Sequence, residues 1–150
     1  MKQINLYTVK QVKESGGLYN LDSTIIKSPA YAANVIQTVL DLNSETVEKF
    51  GILTLNTKMK VVGIHILHIG SLNMSIVDVR SVFQAALLNN ACSIICFHNH
   101  PSGDPTPSAE DIDVTQKLVD AGKIMGIDVI DQIVVGDNGR YVSIKEYVKE

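Results

Sequence analysis

The chain has no tryptophan, only two cysteines and four prolines, and 5% aromatic residues in a length of 150. Each scarcity excludes something. With so few rings there is no broad platform on which the bases of a single strand could stack. Two cysteines make no secreted disulfide framework. Cys92 and Cys96 fall in the apolar run 91–97, which reads as a buried strand; both would then share a face, about 13 Å apart and too far for a bridge. They are expected to be buried free thiols of a reducing compartment. No apolar run approaches the ~20 residues that cross a bilayer, and residues 1–5 lack a signal-peptide core, so a cytoplasmic location without a membrane partner is expected. Basic charge is lacking too. Thirteen Lys and Arg against sixteen Asp and Glu leave a net charge of -3, the wrong balance for a chain that works by gripping phosphates, so direct nucleic-acid binding is not expected to be strong.

What remains is 45% hydrophobic and 19% charged, the balance of one globular domain long enough to fold without staples. Residues 1–27 have weak periodicity and a Gly16-Gly17 break, with short extended pieces at 7–12 and 24–26; they read as an arm on a domain spanning 28–150. Ser28-Pro29 reads as a helix cap and first turn, opening a helix over 29–42. Strands are expected at 47–56 and 60–69, joined by a turn at Asn56-Thr57-Lys58, with Gly70-Ser71-Leu72 ending the second. A helix over 79–88 stops at Asn89-Asn90, and a third strand covers 91–98. Three of the four prolines then fall in the loop 101–107. Ser108 opens a helix to 125, followed by a strand at 127–135, a tight turn at Asp137-Asn138-Gly139, a short strand at 141–143 and a terminal helix at 144–148. The coarse picture is an α/β domain on a mainly antiparallel or mixed sheet.

The chemistry collects around the proline-rich loop. Side chains two apart on an extended backbone share a face, so His98 and His100 project together. Paired imidazoles at a strand end suit zinc, which completes its shell with a carboxylate, and Asp111 in the first turn of the next helix supplies one. Three protein ligands leave a fourth position open for water, the arrangement of a catalytic zinc. Each half also has an ordinary reading, two histidines hydrogen-bonded in a turn and Ser108 with Asp111 as a helix start. With the stiff loop between them, the halves together favour the metal. His65 and His68, three apart in one strand, are expected on opposite faces and not as a pair. The string His98-Asn99-His100 is no nuclease motif, since HNH histidines are spread over a ββα unit, and the zinc deaminase pattern is absent.

The run His98-x-His100-Pro101, followed by Ser108-x-x-Asp111, resembles the JAB/MPN (JAMM) metalloprotease signature. The loop His-Asn-His-Pro-Ser-Gly-Asp-Pro-x-Pro-Ser is similar to that of the RadC family, and Gly70-Ser71-Leu72-Asn73, Arg80-Ser81-Val82-Phe83 and Ile133-Val134-Val135-Gly136-Asp137 extend the likeness over about 44–147. The resemblance implies a JAB/MPN-like (cytidine deaminase-like) α/β (α+β) fold of three layers, a central mixed sheet flanked by helices. It implies one Zn2+ per chain held by His98, His100 and Asp111, with Ser108 binding the developing oxyanion and Glu48 as general base; Glu45 is the neighbour that could be confused with Glu48. The implied activity is a zinc metallopeptidase or related hydrolase cleaving a peptide or isopeptide bond of a peptide or protein substrate, possible as a homo-oligomer. The alternative is a non-catalytic RadC-like accessory module in DNA repair or protein interaction. Three features depart from the wider pattern. Asn99 stands where isopeptide-cleaving members have Ser or Thr, Asp78-Val79 replaces a Tyr/His-Pro turn, and the first 45 or so residues lack room for the helix-hairpin-helix module that RadC proteins often carry.

Overall fold

The computed structural model describes residues 1–70 and 77–149. Residues 1–20 are exposed and without regular structure, so no strand forms at 7–12. Regular packing begins just after them: Ile25 bridges Lys60, and Ile26 is buried in the core. Helix α1 (Pro29–Leu40) is capped by Ser28, whose hydroxyl accepts from the Tyr31 N–H, and ends two residues short of the expected boundary at a left-handed Asp41. A 3-10 turn at Leu42–Ser44 leads into β1 (Glu48–Leu55). Strand β2 (Val61–Gly70) follows the expected turn, and helix α2 (Val79–Leu88) starts at Asp78, which accepts from the Arg80 N–H. The Asp78-Val79 departure is thus an ordinary helix cap. The expected end of β2 at Ser71 and Leu72 lies outside the described residues.

Strand β3 (Ser93–Asn99) is buried at every position. Helix α3 (Ala109–Met125), β4 (Asp128–Val135), β5 (Tyr141–Ser143) and a short α4 (Ile144–Tyr147) complete the chain. The five strands form one mixed sheet in the order β2-β1-β3-β4-β5, parallel only between β3 and β4. That one parallel pair needs a crossover, which α3 supplies. The central strand is an almost unbroken apolar run because both its faces are covered. On one face Leu53, Ile95, Phe97 and Ile133 pack under α1; on the other Phe50, Ile52, Ile94 and Cys96 pack with residues of α2 and α3. These are the three layers, helix on sheet on helix. No helix among the described residues is long and apolar enough to cross a membrane.

Alternation fails in two places. Cys92 precedes β3 and is exposed, so only Cys96 is buried, and burial pushes its thiol up to about 12 with help from the charge of Asp131. In β2 a register slip sets His68 across from Phe50 and His65 across from Ile52. Those partners belong to one face of β1, so the two histidines do not stand on opposite faces.

Two contacts fix the loops at the end of β3. Asn99 is 2% exposed, and its amide accepts from the Lys49 N–H at 2.6 Å while donating to the Val47 carbonyl at 3.0 Å. It thereby clamps the backbone on both sides of Glu48. The loop after β3 rests on the β4–β5 turn: Gly103 adopts a positive φ of 91°, and its carbonyl accepts from the Asp137 N–H and the Arg140 guanidinium. Gly136 lies beneath it, where a Cβ would stand 2.3 Å from the Gly103 oxygen. Gly136→Ala should therefore lower the unfolding free energy by about 1–3 kcal/mol, read from denaturant melts; wild-type stability would contradict this packing. Asn99→Ala should speed hydrogen exchange at the Lys49 amide well beyond its neighbours in β1, and unchanged protection there would refute the clamp.

Candidate metal centre

Antiparallel pairing of β1 with β3 places Phe50 opposite His98. Glu48, two residues earlier, therefore lies on the face of β1 that His98 occupies on β3. The extended path continues past β3, since the His100 N–H donates to the Val135 carbonyl, so His98 and His100 do share a face. Their ring centroids are 4.9 Å apart. Asp111 arrives from the first turn of α3, where a capping box holds it: Ser108 Oγ accepts from the Asp111 N–H at 3.1 Å, and Asp111 Oδ2 accepts from the Ser108 N–H at 2.8 Å. The ordinary helix-start reading and the ligand reading are therefore compatible in one side chain.

The three groups converge. His98 Nε2 is 3.1 Å from His100 Nε2 and 3.4 Å from Asp111 Oδ1, and His100 Nε2 is 3.2 Å from Asp111 Oδ2. The ligand-capable atoms all lie within 4.8 Å of one another. His98 and Asp111 are sealed, with side chains 1% and 3% exposed, whereas His100 at 18% opens to a pocket. That pocket, of about 420 Å³, is lined by Glu48, His100, Pro101, Ser102, Ser108, Glu110 and Asp111. All five residues singled out from the sequence meet here, four on its wall and His98 behind. Glu45 instead pairs with Lys49 at 2.7 Å.

The electrostatics favour a cation. Burial opposes ionisation of Asp111, but hydrogen bonds from His100 and His98, attraction to His98 and the Ser108 N–H outweigh it and hold the carboxyl well below the usual range. The hydrogen bond to Asp111 raises His100 above its ordinary value, against burial and aided by the Asp104 carbonyl and by Glu48. His100 Nδ1 lies 2.9 Å from the Asp104 carbonyl oxygen, which can only accept, so the proton sits on Nδ1 and Nε2 presents a lone pair when the ring is neutral. Two imidazoles and a carboxylate with a braced ring nitrogen fit a divalent metal ion. Among the described residues the Glu48 carboxylate makes no hydrogen bond or ion pair, and the Ser108 hydroxyl accepts one bond and donates none. Both remain available to a ligand in the pocket.

Sequence reasoning missed three polar residues around the cluster, Asp104, Thr115 and Gln132. Gln132 and Thr115 stand behind His98. Only Thr115 left a trace, lying four residues after Asp111 and so on the same side of α3.

A family model for the RadC-like JAB domain matches residues 26–149. A UPF0758 protein of Bacillus pumilus is 49% identical over 122 residues, which cover 81% of this chain and 53% of the relative. The UPF0758 protein YsxA of Bacillus subtilis is 47% identical over 129 residues, 86% of this chain and 54% of the relative. A UPF0758 protein of Methanosarcina acetivorans is 57% identical over 99 residues, 66% of this chain and 43% of the relative. The chain thus spans about half the length of these curated relatives. With a mixed sheet between helical layers and a His-His-Asp cluster at the end of its central strand, the chain belongs to the RadC-like JAB domain family.

Proposed function

We propose that residues 28–150 form a zinc-dependent hydrolase of the JAB/MPN type, a metallopeptidase that cleaves a peptide or isopeptide bond. The observation that carries this reading is the convergence of His98, His100 and Asp111 at the wall of an open pocket that also holds Glu48 and Ser108. A zinc ion held by the first three would polarise a carbonyl and lower the pKa of water to about 7. The rest falls to the chain's own groups. Glu48 takes one proton from the attacking water as its oxygen bonds to the carbonyl carbon. The Ser108 hydroxyl keeps its proton and donates a hydrogen bond to the negative charge developing on the carbonyl oxygen. As the C–N bond breaks, Glu48 passes its proton to the departing nitrogen. One water is consumed, leaving an acid and an amine.

The substrate is a peptide or protein, reached in the cytoplasm without a membrane or a nucleic-acid grip. The net charge of -3 supports that choice of partner. Purified protein should carry about one zinc per chain, and added zinc should raise its melting temperature, since a ligand that binds only the folded state stabilises it. His100→Ala should abolish both effects, its partly open site making it the least disruptive ligand to remove. Full zinc content in that variant, by elemental analysis, would overturn the ligand assignment. Glu48→Gln should keep the zinc and lose cleavage of a peptide and isopeptide library by at least about 10²-fold; undiminished cleavage would remove Glu48 from the mechanism. Salt-sensitive DNA binding by a protein that cleaves nothing would instead favour an accessory module in DNA repair.

A further inference from the structure

A chain of buried polar groups runs behind the metal cluster and joins two of its ligands through their backs. Thr115 Oγ1, on α3, lies 2.7 Å from the Asp111 carbonyl oxygen and 2.9 Å from Gln132 Oε1. The other end of that amide, Nε2, lies 2.7 Å from His98 Nδ1. Gln132 and His98 are 0% exposed and Thr115 is 8% exposed, so each of these contacts must be a hydrogen bond or incur the cost of an unmatched buried group. Gln132 sits on β4, next to Cys96 of β3 in the sheet register.

Counting protons determines the direction of the chain. A hydroxyl has one proton, and the Asp111 carbonyl is an acceptor only. Thr115 gives its proton to that carbonyl and must therefore receive one from Gln132. The end of the amide facing Thr115 is then the NH2 donor, and the end facing His98 is the oxygen. The two ends exchange by a half-turn about the Cγ–Cδ bond with no change of shape, so the proton count decides between them. In the other orientation Thr115 would face two acceptors with one proton, and a neutral His98 would carry its proton on Nε2, aimed into the cluster. With the amide oxygen at His98, the ring is protonated on Nδ1 and Nε2 is bare towards His100 and Asp111.

We propose that Gln132 is a positioning residue that fixes His98 in its metal-ready tautomer, and that Thr115 sets the direction of the Gln132 amide. The inference rests on the metal-centre reading and deepens it. Asp111 and His98 are then coupled, because the helix turn that carries one ligand also supplies, through Thr115, the hydrogen bond that orients the other. His100 receives the same service from the Asp104 carbonyl. When neutral, both imidazoles thus turn bare Nε2 atoms towards Asp111, an arrangement of donor atoms that a cation would complete.

Nitrogen-15 NMR of the metal-free wild-type chain tests the tautomer directly. His98 should carry a proton on Nδ1; a bare Nδ1 with the proton on Nε2 would overturn the proposal, whether or not the protein binds zinc. Zinc affinity, measured by competition with a chelator, tests the consequence. Gln132→Met, which fills the space without an acceptor, should bind zinc about 10–100-fold more weakly. Gln132→Glu, which keeps an oxygen for the Nδ1–H, should stay within a few-fold of wild type. Equal affinity in Gln132→Met would overturn the proposal, as would an equal loss in both variants with the metal-free fold intact by circular dichroism. A wild-type chain that binds no zinc would refute the metal-centre reading instead, leaving the NMR result to decide the tautomer.

Discussion

A carboxylate that is 2% exposed must be compensated on every side, and Asp111 organises the site through that requirement. Its backbone and one oxygen close the capping box with Ser108, placing the charge at the positive end of α3. The remaining capacity of its oxygens faces His98 and His100. An uncompensated buried charge costs several kcal/mol, so the helix start, the two imidazoles and Asp111 form one interdependent unit that a cation would complete. The same carboxylate that caps the helix also faces both histidines, which ties the start of α3 to the end of β3.

The sheet supplies the rest of the constellation. Because β1 runs antiparallel to β3, the beginning of one strand lies beside the end of the other, and Glu48 arrives next to the histidines without any long loop. Asn99, between the two histidines, reaches to the opposite side and holds the backbone around Glu48. The parallel neighbour β4 brings Gln132 behind His98. Each strand adjoining β3 thus contributes one polar residue, and the proline-rich loop is held on the β4–β5 turn by Arg140 and by the lack of a side chain at Gly136.

Much of this was legible in the residues because it depends on short-range periodicity. Two-residue alternation put His98 and His100 on one face, and a Ser with an Asp three residues on marked both a helix start and a carboxylate that could join them. Glu48 was legible only through its likeness to a family, since strand register is a long-range property and a lone carboxylate at a strand start looks like surface. Gln132 gave no warning and Thr115 only its spacing of four from Asp111: a glutamine in an apolar strand and a threonine in a helix have ordinary explanations until the two are seen buried against each other. Cys92 and the pair His65 and His68 show the limit of alternation. It was extended one residue beyond the start of β3 in the first case and across a register slip in the second.

X-ray absorption at the zinc edge of the loaded protein would identify the atoms around the metal, because it reads the metal's own neighbours. Two imidazole nitrogens at about 2.0–2.1 Å are expected, with oxygen ligands completing a four-coordinate shell. A sulfur neighbour, or a shell without two imidazoles, would contradict it.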